Sequence, residues 1–181
     1  MLKKVSIVIP LVLLLAGCAT CKDVAKKSTD EQDEPPVILD SYAAKSIRPG
    51  ATWRVYLKAQ DADGDIKDIA AVLWQAGVGY YSTDITPIKG ADRKDFAGYL
   101  FLNTPADTTL LWDELKLTLL VRDCQGNKSE PINFPLRFDY VPKEEVPGEW
   151  QKAANNRLGT IMIDIESSQR FNSGNSSNVF D

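Results

Sequence analysis

Histidine is absent from the 181 residues. This excludes Ser-His-Asp and Cys-His nucleophilic catalysis, and zinc sites built on imidazole. Cysteine is scarce: Cys18, Cys21 and Cys124 are too few for a metal cluster and enough for one disulfide. Basic residues are outnumbered, 21 Lys and Arg against 25 Asp and Glu, for a formal net charge of −4. No basic stripe is left to neutralise phosphates, so nucleic acid is not an expected partner. No apolar run comes near the ~20 residues that a membrane-spanning helix needs. Gly77-Val78-Gly79 lacks the following helix and the lysine of a phosphate loop and reads as a turn. No spacing among the acidic residues singles out a pair for glycoside hydrolysis. These absences together point away from an enzyme.

What is present starts at the N-terminus. Lys3 and Lys4 are followed by an apolar stretch from Val5 to Leu15, broken only by Ser6 and Pro10. These are the dimensions of a secretory signal rather than of a membrane span. Leu15-Ala16-Gly17-Cys18 resembles the lipobox of bacterial lipoproteins. The small Ala16 and Gly17 admit a peptidase to the backbone, and the Cys18 thiol is the acyl acceptor. The resemblance implies cleavage before Cys18, a lipidated (diacylglyceryl) N-terminus and attachment to a membrane, since two acyl chains suffice for stable anchoring. In a Gram-negative host, Ala19 after the cysteine implies the outer membrane, on its periplasmic or surface face. The alternatives are an uncleaved anchor helix, or an ordinary signal followed by a chance cysteine.

After residues 1–17 as signal, residues 18–36 read as a tether. Ala19 to Pro36 is polar and charge-mixed, has no apolar period, and ends in the stiff Pro35-Pro36 step. From residue 37 to 141 the period is two. Trp53, Val55, Leu57 and Ala59 alternate with Arg54, Tyr56, Lys58 and Gln60. Leu115, Leu117, Leu119 and Val121 alternate with Lys116, Thr118, Leu120 and Arg122, and Ile132, Phe134, Leu136 and Phe138 with Asn133, Pro135, Arg137 and Asp139. Each run is a half-buried strand. Pro135 cannot donate to a ladder, which places the last strand at an edge. Further strands are expected over residues 37–43, 66–75, 80–85 and 96–103, with turns at Arg48-Pro49-Gly50, Asp63-Gly64 and Gln125-Gly126-Asn127.

About seven short strands with regular turns predict an all-β fold, a sandwich of two antiparallel sheets. The run ending in Asp61-Ala62-Asp63-Gly64-Asp65-Ile66, Trp74 on the next strand, and Val121-Arg122-Asp123 leading to Gly126-Asn127-Lys128-Ser129 resemble bacterial immunoglobulin-like modules of the fibronectin type III or PKD kind. Residues 142–181 form a tail. Trp150, Ala154, Leu158, Ile161 and Ile165 recur at three or four residues and favour an amphipathic helix, while Gly159 and the alternation of Ile161, Ile163 and Ile165 speak for extended chain. The Ser/Asn-rich end reads as disordered.

The acidic loop carries the sharpest candidate site. Asp61, Asp63 and Asp65 alternate, and the sandwich brings Asp123 to the same end. Hard cations such as calcium take six to eight oxygens, so these four are candidate calcium ligands. The alternative is a polar Asp-Gly turn neutralised by Lys67 or Arg122. Cys21 and Cys124 are candidate disulfide partners in an exported chain, or else independent thiols. Tyr56, Tyr80, Tyr81 and Trp112 either form a binding face or pack.

The sequence thus reads as a membrane-anchored envelope lipoprotein with a non-enzymatic sandwich for protein interaction or structure. The alternative is a carbohydrate-binding module or accessory subunit of an envelope enzyme. Coplanar surface aromatics would favour sugar, and an apolar strip along an edge strand would favour protein. Cys18→Ala is expected to abolish acyl labelling and lipoprotein-type processing in cells, and unchanged labelling of the variant would remove the anchor.

Overall fold

The computed structural model describes residues 34–142 and 145–166. The expected signal, Cys18, Cys21 and most of the expected tether lie outside the described residues, as does the Ser/Asn-rich end. Among the described residues ten strands form: β1 (Val37–Ala43), β2 (Ser46–Ile47), β3 (Thr52–Gln60), β4 (Ile66–Gln75), β5 (Gly79–Tyr80), β6 (Asp84–Pro87), β7 (Asp95–Asn103), β8 (Glu114–Asp123), β9 (Ile132–Phe138) and β10 (Arg157–Ile161). One sheet has the order β1-β3-β7-β10, the other β2-β9-β8-β4-β5, with β6 also paired to β4. The result is an immunoglobulin-like β-sandwich. Among the described residues no helix is long and apolar enough to cross a membrane.

The alternating runs fall where the pleat requires. Trp53, Val55, Leu57 and Ala59 on β3 face Leu115, Leu117, Leu119 and Val121 on β8, all buried in one core with Phe134, Leu136 and Phe138 of β9. The Trp53 indole donates to the Ala44 carbonyl at 2.8 Å, so its one polar atom is satisfied inside the core. β4, apolar on both faces, is central, with β8 on one side and β5 and β6 on the other. The strand expected over 80–85 divides into β5 and β6, which pair with different parts of β4.

The structure departs from the expected pattern in two ways. The sheets are mixed rather than wholly antiparallel: β10 runs parallel to β7, and β2 parallel to β9. The tail does not form the amphipathic helix its three-to-four spacing favours. It makes two single 3-10 turns, Gly148–Trp150 and Ala153–Asn155, and then joins the first sheet as β10. Strand alternation of the isoleucines prevails because Ile161, Ile163 and Ile165 find space in the main core. Glycine makes the approach fit. A Cβ on Gly98 of β7 would stand 2.7 Å from the Asn156 carbonyl oxygen, and one on Gly159 would collide with Thr86 of β6.

The tail also explains why Tyr56, on the outward row of β3, is buried. Trp150 and Ala153 lie over the outer face of the first sheet and make a second small core with Tyr56, flanked by Tyr42, Tyr99 and Val146. The Lys58 ammonium sits 4.2 Å above the Trp150 ring. The sheet thus has packed side chains on both faces over part of its area.

At the opposite edge β9 is capped only by the two residues of β2. The Arg137 N–H points outward and bonds to the Lys45 carbonyl. By the alternation of the ladder Pro135 faces the same way, where its missing donor costs no pairing to β8.

Leu117 is fully buried at the centre of the main core. Leu117→Ala is expected to lower the unfolding free energy by about 2–5 kcal/mol, read from urea melts at unchanged m-value.

A buried carboxylate cluster at the tether end

The inward row of β3 does not stop at its last apolar residue. Trp53, Val55, Leu57 and Ala59 are followed at the same spacing by Asp61, and on β8 Leu115, Leu117, Leu119 and Val121 are followed by Asp123. Both aspartates are buried for this reason: they continue core-facing rows from opposite sheets. Asp65 is the third member, immediately before β4, where Ile66 pairs with Asp123. The three carboxylates are buried, and each offers an oxygen within 4.8 Å of the others.

Two loops orient them. Oδ1 of Asp61 accepts from the amides of Asp63 and Gly64 at 2.8 and 2.9 Å, in a turn closed by Gly64 at φ 74°. Oδ1 of Asp123 accepts from the amides of Gly126 and Asn127 at 2.6 and 2.8 Å. In each residue this leaves Oδ2, which is shielded from water and has no hydrogen-bond partner among the described residues. Burial pushes the Asp61 carboxyl up from its ordinary value, and the charges of Asp63 and Asp123 add to this against the two amide bonds. The folded state therefore takes up a proton at Asp61 more readily than the unfolded chain. In ion-free protein that contribution to stability is complete below the ordinary pKa of 3.8. It is lost as pH rises through the raised value.

Of the four aspartates predicted as one set, the structure gathers three. Asp63 is exposed, and its Oδ2 accepts from the Glu34 amide at 3.0 Å, fastening the end of the tether to the loop. Alternation along the loop suggested Asp63, whereas the strand period running on past Ala59 and Val121 picks out Asp61 and Asp123. Arg122 does not neutralise the cluster. It lies on the other side of β8 and grips Asp68 with two hydrogen bonds, of 2.6 and 2.9 Å. The Lys67 side chain is exposed. The Arg93 guanidinium donates from Nη1 to Cys124 Sγ at 3.8 Å, next in sequence to Asp123. Cys124 itself is disulfide-bonded. The expected partner, Cys21, lies outside the described residues.

The other candidates separate. Gly77 and Gly79 sit at positive φ in a tight turn, as expected. Of the four aromatics, Tyr56 is buried and Tyr81 is half-buried, its hydroxyl donating to Gln75 Oε1. Tyr80 and Trp112 are exposed, and so are Tyr140 and Met162, which the sequence did not single out. Trp112 is the one described non-glycine residue at positive φ, 73°. The Arg137 guanidinium lies 5.9 Å from the centre of its ring.

No family model matches the chain, and no curated protein matches it. Solved structures do. Sporulation control protein Spo0M from Bacillus subtilis is 12% identical with a TM-score of 0.42, over 60% of this chain and 51% of that one, so the chain spans about half its length. A PKD domain of an M14-like peptidase from a Thermoplasmatales archaeon is 17% identical, TM-score 0.39, covering 62% of this chain and all of that domain. The SrpA adhesin from Streptococcus sanguinis is 17% identical, TM-score 0.40, with 62% of each chain covered.

The Asp68–Arg122 pair is asymmetric: the Asp68 side chain is 5% exposed and that of Arg122 31%. Arg122→Met leaves a buried carboxylate unpaired and is expected to cost about 1–3 kcal/mol. Asp68→Asn leaves a guanidinium that water can reach and should cost less. Chemical denaturation of the two variants reads the difference.

Proposed function

We propose that the chain is a lipid-anchored, non-enzymatic envelope protein whose sandwich presents a surface to a protein partner. Lipidation at Cys18 would place it on a membrane, the outer one in a Gram-negative host. The observation that carries the reading is polarity along the long axis of the sandwich. The tether enters β1 at the carboxylate end, where Val37 pairs with Gln60. Tyr80, Trp112 and Tyr140 are exposed at the other end, beside the start of β8 and the end of β9. A domain anchored through its tether carries those side chains farthest from the bilayer. Trp, Tyr and Arg are the residues on which protein interfaces concentrate their binding energy, and Arg137 adds a cation beside Trp112.

A carbohydrate-binding role is the weaker reading. It asks for a platform of neighbouring flat rings, and Tyr56 and Tyr81, two of the four aromatics that would build one, are taken into the fold.

The test is a photo-cross-linking residue placed at Trp112 or Tyr140 in intact cells, with Lys67 at the tether end as control. Discrete protein adducts are expected from the distal positions and none from Lys67. Adducts from Lys67 alone would overturn the orientation. Retention on a polysaccharide column that is lost in Trp112→Ala would turn the assignment to sugar.

A further inference from the structure

We infer that Asp61, Asp65 and Asp123 form a divalent-cation site, best suited to calcium, that closes the sandwich at the end where the tether enters. The inference is independent of the lipid anchor and of any partner at the distal end.

Clustered acid alone would not carry this, but two features point to a ligand. Asp61 is 3% exposed and Asp123 1%, and each has an Oδ2 shielded from water without a hydrogen-bond partner among the described residues, on a carboxylate that brings an oxygen within 4.8 Å of the other two. A buried carboxylate oxygen left unbonded is costly, and carboxylates this close repel when both are charged. A divalent cation removes both costs at once. The loops also spare that oxygen: in both residues Oδ1 takes the backbone amides and Oδ2 takes none.

The donor set selects among ions. Each carboxylate offers an oxygen within 4.8 Å of the others, close enough for the three to share one ion. Calcium accepts carboxylate oxygens in a flexible shell of six to eight, whereas magnesium demands a near-ideal octahedron and keeps several waters. An all-carboxylate set is hard, which disfavours zinc. Three carboxylates also leave room in a six-to-eight-fold shell for water.

Such an ion would tie sheet to sheet. Asp61 follows β3 of the first sheet, while Asp65 precedes β4 and Asp123 ends β8 of the second. It would also brace Asp123 beside Cys124, where the disulfide is fixed, and the loop to which Glu34 is bonded.

The experiment uses the full chain in detergent, stripped with chelator and dialysed against calcium. One calcium per chain is expected, with a melting temperature that climbs with calcium and falls back with chelator. Asp123→Asn keeps the Oδ1 acceptor for Gly126 and Asn127 while removing the charge, and should weaken calcium binding at least about tenfold. Asp63→Asn and Cys18→Ala should leave the affinity unchanged. Wild-type protein that retains no calcium and melts identically with and without chelator would overturn the site. So would an Asp63→Asn loss as large as that of Asp123→Asn. No retained calcium together with a lowered melting temperature in Arg93→Gln would assign the neutralising charge to that guanidinium instead.

Discussion

Two rows of inward-facing side chains, one from β3 and one from β8, meet across the interior, and much else follows from their meeting. Trp53, Leu57, Leu117 and Leu119 are wholly withdrawn from water. Each buried side chain of this size contributes about 1.5–3 kcal/mol relative to exposure. The same pleat that brings these residues inward carries the next residues of the same parity inward as well. Asp61 and Asp123 are therefore buried by geometry rather than by any affinity of carboxylates for an apolar interior. Two of the three carboxylates at the tether end thus follow from the period that builds the core, extended by one step on each strand, and Asp65 joins them from just before β4.

The tail works as a second constraint on the first sheet. β7 and β10 run parallel, so the chain must travel the length of the sandwich before it can pair, and it does so over the outer face of β3. That passage buries Tyr56 under Trp150, with the Tyr56 ring 5.7–6.0 Å from those of Tyr42, Tyr99 and Trp150 and the Tyr42 ring 6.4 Å from that of Trp150. The distances suit tilted ring contacts. The sheet face that an isolated sandwich would give to solvent is here partly interior.

Most of the strands were legible in the sequence because a period of two needs only local information. β1 and β4 fall on the expected residues, and β3, β7, β8 and β9 differ at their ends by a residue or two. The mixed pairing was not legible, since nothing within residues 157–161 says that β7 is their neighbour. Tyr56 shows the same limit: its outward parity was correct, and only the distant Trp150 makes it buried. At the site, loop alternation pointed to Asp63 beside the other three. The hydrogen bond from the Glu34 amide, made across 29 residues, takes Asp63 elsewhere. Arg122 offered a charge of the right sign close in sequence to the cluster. Its parity on β8 sends it to Asp68 instead.

Pro135 has a consequence beyond the ladder it leaves intact. Under the proposed lipid anchor, copies of the chain would meet in two dimensions, repeatedly and with similar tilt, so exposed sheet edges would be brought into line far more often than in free solution. Strand-to-strand growth needs a run of outward N–H donors. On β9 that run is interrupted by Pro135, and the neighbouring Arg137 donor is already taken by the Lys45 carbonyl. The β9 edge of one copy therefore offers no continuous ladder to the strand edge of another.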